Sequence, residues 1–149
     1  MENLWGYELV FPEDVLYSAE FLWVKEEGAK LRAGLCDIVV RSAKKLVTIK
    51  MTCDAGVLIK KGDVIGSVET SKAVREIIAP VSGTVLAVNP AISGGDPALI
   101  MKDPYGEGWL VELEKTGDTD AQLKDLMKGD EQDTKEWLEE QADDIVPMA

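Results

Sequence analysis

Residues 64–78 constrain the fold of this chain more than any other stretch. They form two short apolar runs around a polar break, Glu69-Thr70-Ser71-Lys72-Ala73. Runs of this length, bounded by turn-forming residues, read as the two strands of a β-hairpin. The flanks repeat the layout. Lys60-Lys61-Gly62-Asp63 is a turn that leads into the first run, and Ala79-Pro80-Val81-Ser82-Gly83 is a second turn that leads into Thr84-Val85. Two similar turn-then-strand halves with one lysine between them suit a two-sheet β fold with approximate internal symmetry. A lysine at a hairpin tip stabilises little and is most often a solubilising charge. Set between two matched halves, Lys72 reads instead as an attachment point that holds a tethered group away from the surface.

The rest of the chain extends the β reading. Strands are expected over 21–25 and 30–35, joined by Glu26-Glu27-Gly28, and over 46–51, 57–59, 83–88 and 109–113. Asp37 is placed to N-cap a short helix through Lys45, although the β-branched Ile38-Val39-Val40 argues against a helix there. Residues 1–18, with Trp5, Tyr7, Phe11 and Tyr17, read as an extended lead-in. Residues 98–101 read as a short helical piece and 103–108 as a loop. After Gly117 the pattern turns helical, over 120–127 and 131–142. Residues 118–144 hold eleven Asp and Glu against three Lys, so eight of the twelve net negative charges lie there. Such a segment is either a solvated helical tail packed on one edge or a partner-docking face. The whole of 1–149 is expected to form one domain, with its core over about 15–116 and an acidic helical segment over about 117–149.

Composition removes several classes of function. The chain contains no histidine, which takes away the commonest general base and the commonest nitrogen ligand for metals. Cys36 and Cys53 form no Cys-x-x-Cys pair and are too few for a disulfide framework. No phosphate-binding glycine fingerprint is present. A net charge of −12 repels nucleic acid and anionic lipid and favours basic patches on protein partners. No apolar run is long enough to span a bilayer. The first residues lack the basic and apolar regions of a secretory signal. The expectation is a cytoplasmic, monomeric, non-catalytic component that binds neither nucleic acid nor membrane.

With these residues in view, the chain resembles the lipoyl-domain family. The resemblance rests on Gly62-Asp63, Glu69-Thr70-Ser71-Lys72-Ala73, Ala79-Pro80-Val81-Ser82-Gly83 and Val88-Asn89. Asp103-Pro104-Tyr105-Gly106-Glu107-Gly108-Trp109-Leu110 then resembles the closing motif of the H protein of the glycine cleavage system. Together these parts cover roughly residues 15–128 in family order. The related biotin carriers usually hold their lysine between two methionines, so Ser71 and Ala73 point to lipoate. The resemblance implies a flattened barrel-sandwich hybrid of two sheets, with short helices and a C-terminal helical segment. It also implies a helix after Asp37. It makes Lys72 the attachment site of a covalent lipoyl group, presented by the turn residues Glu69, Thr70, Ser71 and Ala73. Glu69 and Glu76 either orient the hairpin, serve recognition by the attaching enzyme, or are simply exposed strand-end charges. The implied partners are a lipoate ligase or lipoyltransferase, a dihydrolipoamide dehydrogenase-like protein, and the enzymes that load and unload the arm.

The cargo turns on one departure from the family. H proteins carry a His-Glu-Trp signature on the first strand, and its glutamate is expected to meet the amine of the loaded aminomethyl group. Here the aligned residues are Phe21-Leu22-Trp23. Leu22 cannot pair with an ammonium, so a contact of about 1.5–3 kcal/mol is lost. Further on, Gly34-Leu35-Cys36-Asp37 replaces Gly-Ile-Thr-Asp. These departures favour a branch of H-like proteins, the lipoate-binding proteins of heterodisulfide-reductase-like sulfur oxidation, with sulfur as cargo. The alternatives are the glycine cleavage H protein itself and a related lipoate-relay carrier. Phe21, Leu22, Cys36 and Cys53 are the candidate cargo contacts. For the cysteines, burial as packing residues is the competing expectation.

Overall fold

The computed structural model describes residues 9–42, 46–70, 73–92 and 94–145. Seven strands form one sheet: β1 Leu16–Tyr17, β2 Leu22–Glu27, β3 Lys30–Leu35, β5 Leu58–Ile59, β8 Gly83–Val88, β9 Val111–Glu114 and β10 Met127–Lys128. Their order is β10-β1-β2-β3-β9-β8-β5. A second sheet has the order β4-β6-β7, from β4 Leu46–Met51, β6 Val64–Thr70 and β7 Val74–Ile78. Every neighbouring pair is antiparallel. Among the described residues the helices are α1 Asp37–Ser42, α2 Ala98–Lys102, α3 Thr119–Lys124 and α4 Gln132–Ile145. The fold is the expected mainly β sandwich of two sheets; neither sheet closes into a barrel.

Strand alternation explains the main core. Leu22, Val24, Leu31, Ala33 and Leu35 from the large sheet pack against Ile49, Ile65, Val68 and Ile77 from the small one. Each such side chain contributes about 1.5–3 kcal/mol when removed from water. A second cluster gathers Tyr17, Trp23, Cys36 and Ile38 with Leu138 and Ala142 of α4. Trp23 therefore lies apart from its neighbours Leu22 and Val24, as strand alternation requires. Its indole covers Gly34, where an added Cβ would sit 2.7 Å from the ring. Only glycine fits that cross-strand position.

The two matched turns of the sequence meet in space. Gly62 N–H donates to the Ala79 carbonyl (3.0 Å) and Ala79 N–H to the Asp63 carbonyl (2.8 Å). Lys61 N–H donates to Ser82 Oγ at 3.0 Å. Gly62 has φ 94°, a conformation glycine reaches without strain.

Several element boundaries differ from the sequence reading. The first long strand starts at Leu22, and Phe21 lies outside it. Asp37 is the first residue of α1 rather than the residue before it; α1 reaches Ser42, and residues 43–45 lie outside the described residues. The helix expected over 120–127 stops at Lys124, because Met127 and Lys128 pair with Tyr17 and Leu16 as strands. The lead-in contributes β1 to the sheet, while residues 1–8 lie outside the described residues.

Candidate functional site

Strands β6 and β7 carry the hairpin in the register Gly66↔Ile77, Ser67↔Glu76, Val68↔Arg75 and Glu69↔Val74. Beyond the last pair, Thr70 N–H donates to the Ala73 carbonyl (2.8 Å), and Ala73 N–H donates to Thr70 Oγ1 (3.1 Å). Thr70 and Ala73 thus close the hairpin, with two residues of chain between them. Those two, Ser71 and Lys72, lie outside the described residues. Glu69 is exposed and Val74 is 63% exposed. The upper hairpin is held by backbone pairing and by its closing bonds, with little burial of apolar side chains.

Below the tip, a cleft of about 370 Å³ opens between β7, β2 and α1. Leu22, Leu35, Val39, Val68 and Ile77 give it an apolar floor, and Phe21, Arg75 and the acidic Glu20 and Glu76 line it beside them. Val68 and Arg75 are cross-strand partners, so Arg75 projects from the inward face that also carries Ile77. Its guanidinium carbon lies 5.7 Å from the centre of the Phe21 ring. The same ring stacks on Trp137 of α4, with centroids 5.6 Å apart and planes 22° from parallel.

Phe21 holds this place at a conformational cost. Its φ of 68° is left-handed, a state worth about 1–3 kcal/mol of strain for a non-glycine residue. A set of hydrogen bonds enforces it. Phe21 N–H donates to the Ser18 carbonyl (3.1 Å), Ser18 N–H to the Leu22 carbonyl (2.9 Å), and Cys36 N–H to the Phe21 carbonyl (2.9 Å). Leu22 N–H donates to Ser18 Oγ at 3.1 Å. The turn thereby lifts the ring between Arg75 and Trp137.

The expected cargo contacts separate in the structure. Phe21 and Leu22 both border the cleft, but Leu22 is only 1% exposed and belongs to its floor. Cys36 is fully buried in the Trp23 cluster, where its Sγ accepts a hydrogen bond from the Tyr105 hydroxyl at 3.6 Å. Burial pushes its thiol up to about 12. Cys53 lies at the far end of the hairpin, beyond the Met51↔Gly66 pair. It borders a different cleft with Ile49, Met51 and Gly95. Burial raises its thiol as well. Neither cysteine lines the cleft below the tip. Arg75 and Trp137 are the side chains that frame Phe21. The alternation of residues 74–78 carried a signal for the first, since it puts an arginine on the same face as Ile77.

The segment over 103–110 lies on the other side of the large sheet and acts as a clamp. Trp23 Nε1–H donates to the Pro104 carbonyl at 2.8 Å. The Tyr105 hydroxyl accepts from Asp37 N–H at 2.9 Å. Asn89 Nδ2 donates to the carbonyls of Glu107 and Trp109, each at 2.8 Å. A second cleft of about 640 Å³ lies here, lined among others by Lys25 and Arg32. Both of these charges are paired, Lys25 with Asp14 (3.6 Å) and Arg32 with Glu112 (3.2 Å). Among the described residues no cluster of His, Cys, Asp or Glu suits a metal ion. No helix among them is long and apolar enough to cross a membrane.

Comparisons with known proteins agree with this architecture. The family described as Glycine cleavage H-protein matches residues 15–141. A glycine cleavage system H protein of Anaeromyxobacter sp. (strain K) is 37% identical over 130 residues, which are 87% of this chain and 97% of the relative. One from Corynebacterium jeikeium (strain K411) is 40% identical over 109 residues, 70% of this chain and 84% of the relative. The crystal structure of an H protein from Mycobacterium marinum superposes with a TM-score of 0.64 at 33% identity, covering 70% of this chain and 86% of that one. Glycine cleavage H proteins carry lipoate covalently on a lysine. A family match over residues 15–141, on a sandwich with the same fold, places this chain in the glycine cleavage H-protein family.

Proposed function

We propose that this chain is a lipoyl carrier of the H-protein type, with Lys72 as the lysine that takes the group. The observation that carries the reading is the hairpin closed by Thr70 and Ala73, with a cleft of apolar floor beside it. At about 370 Å³ the cleft falls within the ~300–1,000 Å³ range of small-molecule pockets. Its aliphatic floor suits a hydrocarbon chain and a dithiolane ring. When bound, that group supplies thiol–disulfide chemistry and a covalent handle for cargo. The protein supplies presentation. A lysine amine with a pKa near 10.4 is almost wholly protonated at neutral pH, so the ligase or lipoyltransferase provides the base. Tethering then raises the effective concentration of the arm at a docked enzyme to the mM range. The chain acts in the cytoplasm as a non-catalytic component, together with a dihydrolipoamide dehydrogenase-like partner.

Two cargo readings follow. The names of the relatives support the glycine cleavage enzymes as partners and an aminomethyl group as cargo, better than they support sulfur. Sulfur oxidation with heterodisulfide-reductase-like partners is the second reading. It rests on Leu22, an apolar floor residue where an amine-bearing cargo calls for a carboxylate. The assay is glycine decarboxylation and exchange by the lipoylated protein with glycine cleavage partners. Efficient turnover supports the first reading and removes the second. Failure of the lipoylated protein, with activity gained in Phe21→Glu, supports the second. Leu22→Glu is the wrong variant for this purpose, because it buries an unpaired charge at a cost of several kcal/mol.

A further inference from the structure

We propose that the open edge of β7 is a strand-addition site, which pairs with an extended partner segment whose side chains alternate between apolar and basic. The edge does not depend on modification of Lys72. What it adds to the carrier reading is a docking mode for the enzymes that visit the arm.

β7 is the last strand of the small sheet, whose order is β4-β6-β7. In an antiparallel ladder, residue pairs that exchange hydrogen bonds alternate with pairs whose N–H and C=O point away from each other. Thr70 and Ala73 are bonded at the tip. The alternation then makes Val68↔Arg75 and Gly66↔Ile77 bonded pairs, and leaves Glu69↔Val74 and Ser67↔Glu76 unbonded. The N–H and C=O of Val74 and Glu76 therefore face away from β6. Among the described residues these groups have no turn or loop partner, and both side chains are exposed. The opposite edge of the same sheet is capped instead: Ile49 N–H donates to the Gly95 carbonyl (3.1 Å), and the Thr48 hydroxyl donates to the same oxygen (3.0 Å).

An unpaired edge is a template for another strand, and charge decides which strand fits. A second copy is disfavoured. Antiparallel self-pairing centred on Arg75 sets arginine against arginine, and centred on Glu76 it sets glutamate against glutamate. Like charges directly opposite are destabilising. Centred on Val74, the pairing runs past Ala73, the residue that closes the hairpin. A net charge of −12 on each chain adds repulsion. A basic partner meets attraction. Its outward side chains lie beside Glu69 and Glu76, which are exposed on the outward face. Glu20 adds a third carboxylate at the rim of the cleft, against the single cation Arg75, whose guanidinium rests on the Phe21 ring. The inward side chains lie over Leu22, Leu35 and Val39, so they are apolar. The match is an extended segment with apolar residues inward and Lys or Arg outward, bound by main-chain hydrogen bonds. Because β7 begins directly after Ala73, such a segment holds the partner beside the tip. It also covers the cleft, so a docked strand leaves the arm outside it.

The experiment uses the unmodified 149-residue chain, isotopically labelled, and the peptide acetyl-Lys-Val-Lys-Val-Thr-Lys-amide. Amide hydrogen exchange is followed residue by residue by NMR. Without peptide, the Val74 and Glu76 amides should exchange at least about tenfold faster than those of Arg75 and Ile77. Saturating peptide should slow both by about tenfold or more. The same peptide with glutamate in place of each lysine should leave them unchanged. Glu76→Gln should weaken binding about threefold, the loss of one exposed charge pair. Glu76→Pro removes an outward N–H that β6 does not use, and should abolish binding. Val74 and Glu76 amides that are already protected at every protein concentration overturn the open edge. Protection that grows with protein concentration assigns the edge to a second copy and overturns the partner. Equal slowing by the acidic peptide overturns the charge pattern, and a basic peptide that leaves both amides unslowed overturns the site. All of these outcomes leave the carrier reading standing. That reading fails separately, if peptide mass finds no lipoyl group on Lys72 after ligase treatment.

Discussion

The hairpin of β6 and β7 and the Trp23 cluster on the other side of the large sheet are built on opposite principles. Around Trp23, residues far apart in the chain are locked together. Trp23 bonds to Pro104 across 81 residues, and Asp37 bonds to Tyr105 across 68. Tyr17, Cys36 and Leu138 fill the space between them. At the upper hairpin the hydrogen bonds are local, Thr70 to Ala73, and Val74 stands mostly in water. The first region stores stability. The second is held by local pairing and adds little stability. Phe21 joins the two, since its ring packs partly against both core clusters.

The largest expected effect is on the anchored side. Trp23→Ala removes a buried indole, a hydrogen bond and the cover over Gly34, and should cost about 3–5 kcal/mol in urea unfolding. A loss below about 1 kcal/mol would break the contrast. Next comes the alkaline limb of stability. Cys36 is held up at about 12 in the folded protein, against an ordinary value near 9. Below pH 9 the thiol is protonated in both states, so its contribution is fully present. From about pH 9 towards 12 only the unfolded chain ionises, so stability falls, with a slope of at most ~1.4 kcal/mol per pH unit. Burial also holds the Tyr17 and Tyr105 hydroxyls above their ordinary value near 10. Cys36→Ala should therefore flatten the curve mainly between pH 9 and 10, as read by thermal melts. An unchanged slope in that window would show that the thiol is more accessible than its burial implies. The smallest effect belongs to the hairpin. Val74→Ala should change stability by no more than about 0.5 kcal/mol, and a larger loss would mean that the upper hairpin is itself a packed element.

Much of the sandwich was legible because its signals are local. The two runs around the polar break, the matched turns and the strand at Lys30–Leu35 each announce themselves within a few residues. What escaped the sequence depends on distant partners. Leu16–Tyr17 and Met127–Lys128 are two-residue strands that exist only because they pair with each other across more than 100 residues. Phe21 looked like the start of a strand, but its left-handed turn is imposed by Ser18 and Cys36. Its partner Trp137 lies on a helix that sequence alone reads as a charged tail. For Cys36, burial as a packing residue is the outcome that matches the structure, and the neighbours that bury it, among them Leu138, with Tyr105 packed against the same cluster, come from distant parts of the chain.

The most direct test of the account is a lipoylation map. The protein is incubated with a lipoate ligase, lipoate and ATP, digested, and read by peptide mass spectrometry, alongside Lys72→Arg. The account predicts one lipoyl group, on the peptide that contains Lys72, and none on the variant, with both proteins melting at the same temperature. A lipoyl group that persists in Lys72→Arg, or that appears on another lysine of the wild type, would contradict it.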